Sequence, residues 1–173
     1  PQKTNNTDES KAELTEIIRA KSHDLRFENI SLKIGQKTIV DNFSFNFESG
    51  KKYLVVGING SGKSSVFKLL KKWYSFCEGE ITINGKSINE FSSRELSQIV
   101  SYLNENVSLF SGSVKDNIIL FRDYDKDSLS YAVSKSHMEL DLNRQIIDEG
   151  RNVSSGEQRR IEIARSLLKS ASI

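Results

Sequence analysis

The fold of this 173-residue chain is decided by one stretch, Gly57-Ile58-Asn59-Gly60-Ser61-Gly62-Lys63-Ser64. It matches the pattern G-x-x-x-x-G-K-[ST] in full, and an apolar run at residues 53–56 precedes it. Glycines in such a loop let backbone N–H groups converge on phosphate oxygens. A helix that begins at Lys63 adds unpaired N–H donors and the positive end of its dipole. We therefore predict a phosphate-binding loop, named the phosphate loop, between a buried parallel strand and an amphipathic helix.

Two side chains of the phosphate loop have a chemistry of their own. Lys63 can reach the β- and γ-phosphates of a nucleoside triphosphate, which makes it a candidate catalytic residue. The hydroxyl of Ser64 is a hard oxygen donor that suits Mg²⁺. A glycine-rich turn that merely precedes a lysine would not need the strand before it and the helix after it. The residues that we predict to contact the nucleotide here are Gly57, Asn59, Gly60, Ser61, Gly62, Lys63, Ser64 and Ser65.

Short β-like and helical segments surround the phosphate loop. The pattern predicts strands at residues 25–33, 37–40, 43–47, 79–85 and 99–103. It predicts helices at residues 66–73, 93–97, 114–120, 128–137 and 155–169. Residues 1–24 are polar, with Leu14, Ile17 and Ile18 at helical spacing, and we interpret them as an N-terminal linker. The domain itself is expected to cover residues 25–173.

The composition excludes several classes of protein. Apolar residues make up 36% of the chain and charged residues 28%, which is enough to bury a core. The formal charge of +2 is far from the balance of a strongly basic nucleic-acid binder, so we expect no nucleic-acid partner. A single cysteine, Cys77, excludes an internal disulfide framework. No run approaches the roughly 18 apolar residues of a membrane span, and we expect a domain that faces the cytosol.

A second motif narrows the choice among proteins with a phosphate loop. Residues 153–168 read Val-Ser-Ser-Gly-Glu-Gln-Arg-Arg-Ile-Glu-Ile-Ala-Arg-Ser-Leu-Leu. Ser154 and Glu157 fit a capping box at the start of a helix, and Gly156 allows close approach. The stretch resembles the signature of ATP-binding cassette (ABC) proteins, L-S-G-G-Q followed by R-x-R-I-A-x-A-R-A-L. An ordinary capped helix explains the capping pair but not the arginine, alanine and leucine matches that follow it.

Three other segments resemble the same family. Residues 102–105, Tyr-Leu-Asn-Glu, lie where ABC proteins have their Q-loop, usually Tyr-Val-Pro-Gln. Residues 109–118 resemble the L-F-S-G-T-I-x-x-N-I stretch of exporter-type ABC ATPases, and residues 79–85 resemble G-x-I-x-x-x-G. The resemblance covers residues 25–173. In such exporters a linker joins the ATPase to a membrane domain, which suits the polar residues 1–24.

The resemblance implies an α/β P-loop fold. It implies a mostly parallel core sheet, an antiparallel β-layer near the N-terminus and a helical subdomain that carries the signature. The implied cofactors are ATP and Mg²⁺, and the implied partner is a second nucleotide-binding domain arranged head to tail. Lys63 and Ser64 would act on the ATP of their own subunit. The γ-phosphate bound by the partner domain would be contacted by Ser154, Ser155, Gly156 and Glu157.

The resemblance also implies a function for the complete protein. ABC exporters hydrolyse ATP and use it to drive a substrate across a membrane. A transmembrane domain would then be the second partner, and the ATPase would lie on the cytoplasmic face of the cell membrane. The substrate cannot be identified from this chain, because the membrane domain selects it.

Five positions depart from the family pattern in ways that bear on the predicted nucleotide sites. Ile34 occupies the place of the aromatic residue that stacks on adenine, and isoleucine cannot stack as a ring does. Glu105 replaces the Q-loop glutamine, and Asn104 replaces the proline before it. In the family that glutamine ligates Mg²⁺, so Glu105 is a candidate metal ligand and catalytic residue. In the signature, Ser155 replaces the first glycine and Glu157 replaces the glutamine, which predicts a weakened or degenerate ATP site there.

The family pattern continues with the Walker B strand. Its Asp and Glu, together with a later switch His, complete the hydrolytic site, and these motifs do not occur by residue 173. We therefore interpret the chain as part of a domain, without hydrolytic competence of its own. The Walker B strand would lie in the central sheet, so we expect an apolar gap and unpaired backbone groups in its place.

Two alternatives stay open. A non-hydrolysing module could use nucleotide-driven closure as a switch, which the carboxylates at Glu105 and Glu157 favour. A soluble ABC ATPase could act on ribosomes or DNA-repair complexes, which the exporter-type stretch at residues 109–118 argues against. ATP turnover by the complete polypeptide would exclude the first alternative. Membrane spans encoded upstream of Pro1 would exclude the second.

Overall fold

A computed structural model describes residues 5–76, 78–104, 106–169, 171 and 173 of the protein, with side-chain burial from residue 12 onward. The chain divides into two compact units. The first unit comprises Pro1–Val100 with Ser172–Ile173, and the second comprises Ser101–Ala171. Among the described helices, none is both long and apolar enough to cross a membrane.

The first unit is built on a four-stranded sheet. Its elements are α1 (Asn5–Arg19), β1 (Leu25–Ile34), β2 (Lys37–Phe47), α2 (Lys63–Leu70), β3 (Glu78–Ile83), β4 (Lys86–Ser87), a 3-10 turn (Ile88–Glu90) and α3 (Ser93–Ile99). The strand order is β2-β1-β3-β4. β1 is a central strand, because Leu25 pairs with Phe47 of β2 on one side and with Ile83 of β3 on the other.

Alternation of apolar and polar residues along β1 gives this sheet one buried face. Leu25 and Phe27 are buried, whereas Arg26 between them is exposed. The Phe27 ring makes edge-to-face contacts with Phe43 and Phe47, with centroids 5.6 and 5.8 Å apart. Burying a side chain of this size contributes about 1.5–3 kcal/mol. Helices α1, α2 and α3 complete the core with Leu14, Val66, Leu69, Leu70, Leu96 and Ile99.

The second unit is mainly helical. Its elements are β5 (Gly112–Ser113), α4 (Val114–Ile119), α5 (Lys126–Lys135), β6 (Gln145–Ile146), a 3-10 turn (Asp148–Gly150) and α6 (Ser155–Lys169). Helices α4 and α5 begin where the side chains of Ser113 and Asp125 accept hydrogen bonds from backbone N–H groups of the first turn. The core of this unit includes Val114, Ile118, Leu129, Ile146, Ile161 and Ala164.

The predicted buried strand at residues 53–56 is wrong. These residues form no strand, and the side chains of Leu54 and Val56 are 87% and 77% exposed. A short apolar run is stable as a parallel strand only between neighbours that pair with it. No strand of the described residues pairs with this run. Every strand pair in the described part of the chain is antiparallel, so the parallel part of the expected sheet is not observed there.

The predicted strand at residues 99–103 is also wrong. Ile99 is the last residue of α3, and residues 100–104 have no regular structure. A capping box between Ser92 and Glu95 starts this helix, and its apolar face is buried in the core. The helix therefore continues beyond the end that the sequence pattern predicts. The other predicted helices are present, with ends shifted by a few residues at most.

Candidate functional site

The phosphate loop lies in the first unit and turns sharply into α2. Gly62 is the N-cap residue of α2 and has a φ of 86°, in the left-handed region that favours glycine. A Cβ atom at Gly62 would lie 2.5 Å from the carbonyl oxygen of Ile39 in β2. A Cβ atom at Gly57 would lie 2.9 Å from the hydroxyl oxygen of Ser61. Gly62 therefore requires glycine, because its φ is positive and the clash is with backbone, whereas the hydroxyl of the exposed Ser61 could turn away from a side chain at Gly57.

The N-terminus of α2 is open to an anion. No side chain caps this helix, and its first turn contains no acidic residue. The N–H of Val66 donates to the carbonyl oxygen of Gly62 at 3.0 Å, which closes the first helical turn. The N–H groups of Lys63, Ser64 and Ser65 come before Val66 and therefore have no carbonyl partner within the helix. Together with the helix dipole, they favour a negatively charged ligand at this end.

Lys63 is the first residue of α2, and its side chain folds back over the phosphate loop. Its Nζ atom donates to the carbonyl oxygens of Gly57 and Ile58, each at 2.8 Å. These two contacts place a positive charge at the loop itself. Because the hydrogen bonds are exposed, an arriving phosphate can replace them at small cost.

The other predicted contact residues of this site are on the loop surface. Asn59, Ser61 and Ser64 are exposed, and Ser65 is half-buried. The N–H of Ser61 donates to the carbonyl oxygen of Ile58 at 3.2 Å, which forms the turn at the loop tip. The Ser64 hydroxyl is an exposed oxygen donor in the first turn of α2. The described residues contain no group of three or more His, Cys, Asp or Glu that could hold a metal ion.

Ile34 lies in the same unit, at the end of β1. It pairs with Lys37 across the turn to β2, and its side chain is 45% exposed. Two residues further on, Ile39 places its carbonyl oxygen against Gly62. The β1–β2 turn and the phosphate loop therefore neighbour each other through β2. The Ile34 side chain itself is exposed at the end of β1.

The signature residues 154–157 lie in the second unit, at the start of α6. Ser154 and Glu157 form the predicted capping box. The N–H and the hydroxyl of Ser154 donate to Oε2 of Glu157 at 2.7 and 2.8 Å. In return, the N–H of Glu157 donates to the hydroxyl oxygen of Ser154 at 3.3 Å. The carboxylate thus turns back toward the N-cap.

Gly156 differs from Gly62 of the phosphate loop, which requires glycine. A Cβ atom added at Gly156 would meet nothing within 4 Å, and the backbone there is not in the left-handed region. No contact within the described chain therefore explains a glycine at this position. Ser155 beside it is exposed as well. The absence of a side chain leaves the start of α6 open to close approach by another molecule.

Charge at the start of α6 is balanced by an arginine. Hydrogen bonds from the backbone and side chain of Ser154 lower the pKa of Glu157, and the charges of Arg144 and Arg160 lower it further. Oε1 of Glu157 lies 3.5 Å from Nη1 of Arg144. The carboxylate is ionised at neutral pH, but a positive charge lies next to it.

A buried polar network joins α6 to the segment before α4. The side chain of Asn117 is fully buried and exchanges hydrogen bonds with the N–H and carbonyl oxygen of Phe110, at 3.0 and 2.9 Å. Arg165 of α6 donates to the carbonyl oxygens of Asn117 and Ser108. Burial lowers the pKa of Arg165. The residues that match the family pattern at 117 and 165 therefore have a structural role here.

Two residues that support the signature helix, Arg144 and Glu162, are not among the predicted site residues. Arg144 is outside every motif, and no sequence signal identifies it. Glu162 occupies an alanine position of the family pattern, which was a visible departure. Its carboxylate accepts the N–H of Asn104 at 2.8 Å and pairs with Arg159 at 2.7 Å. The remaining predicted site residue, Glu105, lies outside the described residues.

Comparison with known proteins identifies the family. Residues 40–173 match the family described as ABC transporter. The chain belongs to this family. It therefore carries a nucleotide-binding ABC ATPase fold, and the resemblance inferred from the phosphate loop and the signature is confirmed.

Individual ABC proteins resemble this chain over most of its length. It is 29% identical to an ATP-dependent lipid A-core flippase of Vibrio parahaemolyticus, over 80% of this chain and 25% of that protein. It is 32% identical to the mitochondrial iron-sulfur clusters transporter ATM1 of Candida albicans, over 87% of this chain and 21% of that protein. A bacterial Atm1-family ABC exporter with ATP bound has a similar structure, with a TM-score of 0.80 and 25% identity over 87% of this chain and 28% of that one. The chain spans about a quarter of the length of these relatives.

Proposed function

We propose that this ABC chain binds the triphosphate of ATP at the phosphate loop. One observation carries the proposal: a tight loop that requires glycine at Gly62 leads into the uncapped N-terminus of α2, with the ammonium group of Lys63 on the loop. The contact residues are then Gly57, Asn59, Gly60, Ser61, Gly62, Lys63, Ser64 and Ser65. Ile34 provides an apolar surface for the base.

Each side chain of this site has a distinct task. Lys63 leaves the carbonyl oxygens of Gly57 and Ile58 and binds the β- and γ-phosphates, where it offsets negative charge. The Ser64 hydroxyl is suited to ligate Mg²⁺, because a hard cation prefers oxygen ligands and completes its shell with phosphates and water. Bound Mg²⁺ would supply charge neutralisation at the phosphates. Glu105 remains the second proposed metal ligand, from the family pattern alone.

The signature residues act on a second nucleotide-binding domain in this proposal. A head-to-tail dimer brings Ser154, Ser155, Gly156 and Glu157 to the γ-phosphate bound by that domain. The open space at Gly156 supports this role, because nothing within the described chain uses it. An N-terminus of a 15-residue helix also favours an anion.

In the complete protein, the cassette hydrolyses ATP and drives export of a substrate across a membrane. The proposal places it on the cytoplasmic face of the cell membrane, joined to a transmembrane domain by a linker at residues 1–24. Residues 25–173 belong to the nucleotide-binding domain, with the second unit as its signature subdomain. A mostly parallel core sheet remains part of the proposal, from the family resemblance alone.

Titration of the full-length protein with Mg-ATP tests nucleotide binding. Lys63→Ala removes a charge-assisted contact worth roughly 1.5–3 kcal/mol, so the affinity should fall about ten- to hundredfold. Lys68→Ala is the matched control, because Lys68 lies in the last turn of the same helix. Equal affinity of Lys63→Ala and the wild type would remove Lys63 from the site.

A non-hydrolysing nucleotide sensor is the second candidate function. The carboxylate of Glu157 at the signature favours it, because a weakened site could close on ATP without turning it over. ATP turnover by the full-length protein distinguishes the two candidates. Measurable turnover that Lys63→Ala abolishes would exclude the sensor.

A further inference from the structure

The carboxylate of Glu157 has two different environments at its two oxygens. Oε2 accepts both hydrogen bonds from Ser154, and this accounts for the capping role. Oε1 faces Nη1 of Arg144 at 3.5 Å, and this contact has no part in the cap. The side chains of Arg144 and Glu157 remain 40% and 25% exposed, so the pair lies at the surface beside the start of α6.

Arg144 is held in place by the loop that carries it. Its Nη2 atom donates to the carbonyl oxygen of Asn152 at 2.6 Å. The amide of Asn152 in turn binds the N–H of Ile147 at 3.0 Å and the carbonyl oxygen of Gln145 at 2.8 Å. The backbone carbonyl of Arg144 accepts the N–H of Val114 at 2.9 Å. The guanidinium group is therefore oriented toward α6 before any ligand arrives.

We infer that Arg144 is a positioning residue that neutralises Glu157 and so lets the signature accept a phosphate anion from a second cassette. The inference rests on the proposed head-to-tail dimer. A carboxylate in the first turn of α6 repels an approaching γ-phosphate, and the oriented guanidinium of Arg144 offsets that charge. The substituted signature then works as a matched pair of residues 144 and 157, and the site is not degenerate.

Other charges near Glu157 do not replace Arg144. Arg160, in the next turn of α6, contributes a weaker attraction to the same carboxylate. Arg151 lies in the loop before α6 and is exposed, and none of the ion pairs among the described residues includes it. Arg151 is thus a nearby cation without the contact to Glu157, and it provides a matched control.

The test measures closure of two cassettes in the full-length protein. Energy transfer between dyes on a cysteine introduced at the exposed Ser130 reports the closure as Mg-ATP is added. Arg144→Met should raise the ATP concentration for half-maximal closure about tenfold, and Arg144→Lys about twofold, since lysine keeps the charge. Arg151→Met should leave it unchanged. In a Glu157→Gln background, Arg144→Met should raise the ATP concentration for half-maximal closure by less than about threefold.

Three results would overturn the inference. If Arg144→Met closes at the same ATP concentration as the wild type, Arg144 does not act on this site. If Arg144→Lys is as poor as Arg144→Met, the hydrogen bond to Asn152 matters and the charge does not. If Glu157→Gln fails to rescue Arg144→Met, Arg144 does not act through Glu157. Absence of ATP-driven closure in the wild type would instead overturn the proposed dimer, and the inference with it.

Discussion

The N-termini of α2 and α6 are both proposed to meet phosphate, but they are built in opposite ways. α2 begins at Gly62 without a side-chain cap and without an acidic residue in its first turn. α6 begins with a complete capping box, and the Glu157 carboxylate lies in its first turn. The difference indicates that the phosphate loop can bind an anion alone, whereas the signature needs its own charge to be balanced first.

The glycines at the two helix starts, Gly62 and Gly156, also differ in what surrounds them. Gly62 is required by the chain, because its φ is positive and a side chain would collide with Ile39. At Gly156, by contrast, nothing in the described chain lies within 4 Å of an added Cβ atom. A substitution at the first position should therefore damage folding, and one at the second should damage association only.

The largest effect is expected for Gly62→Ala. An alanine in the left-handed region costs about 1 kcal/mol, and a Cβ atom 2.5 Å from a carbonyl oxygen forces the backbone to move. We expect a loss of about 3 kcal/mol in the free energy of unfolding and of nearly all Mg-ATP binding. Thermal unfolding and titration of the full-length protein measure both. An unchanged melting temperature would show that the loop relaxes freely.

Gly156→Ala should separate association from stability. Alanine in a helix is favoured over glycine by about 1 kcal/mol, so the melting temperature should stay equal or rise slightly. A methyl group in a closely packed interface costs about 1–3 kcal/mol, so ATP-driven closure should weaken about tenfold. Closure is followed by energy transfer in the full-length protein. If closure is unaffected, Gly156 does not face a partner.

Ile34→Tyr should tighten ATP binding at the phosphate loop. Isoleucine contacts a base through apolar atoms only and cannot hydrogen-bond to its edges. The wild type should therefore discriminate weakly between ATP and GTP. A tyrosine ring can stack on adenine, which adds about 0.5–1.5 kcal/mol and tightens ATP binding two- to tenfold. Competition binding of ATP against GTP measures both effects. A hundredfold ATP preference in the wild type would show that another residue supplies the stacking.

Local chemistry explains which parts of this structure could be predicted from sequence. The start of α2 at Lys63 and the capping box of α6 were predicted correctly, because each depends on residues within eight positions of one another. The strand at residues 53–56 was not, because a parallel strand depends on partners distant in the chain. The predicted end of α3 was too early, because the apolar pattern around Ile99 fits a strand as well as a helix.

The ion pair between Arg144 and Glu157 could not be predicted from the sequence either. Arg144 and Glu157 are separated by 13 positions, and no spacing rule connects a loop arginine with a helix N3 carboxylate. The role of Asn152, which orients that arginine through its carbonyl oxygen, depends on the fold of the loop. Only the folded chain brings these residues together.

The smallest effect is expected for Glu157→Gln. Glutamine can replace glutamate in a capping box, so the helix should keep its start while the repulsion toward phosphate disappears. Two unit charges about 4 Å apart interact by about 4 kcal/mol at an effective dielectric of 20, and the Arg144 pair and solvent screening cancel most of it. We expect closure at a two- to fivefold lower ATP concentration, with the largest difference at low salt.

The pH dependence of this substitution follows from the cap. Hydrogen bonds from Ser154 lower the pKa of Glu157, so the carboxylate contributes stability above its ordinary pKa of about 4.3 and loses it as pH falls through the lowered value. Between pH 5 and 8 the carboxylate should stay ionised. The ratio of the ATP concentrations for half-maximal closure of Glu157→Gln and of the wild type should therefore not change. Closure titrations across that range test this. If the ratio approaches one as pH drops from 8 to 5, phosphate raises the pKa of Glu157 in the closed state, and the carboxylate lies closer to the nucleotide than its cap indicates.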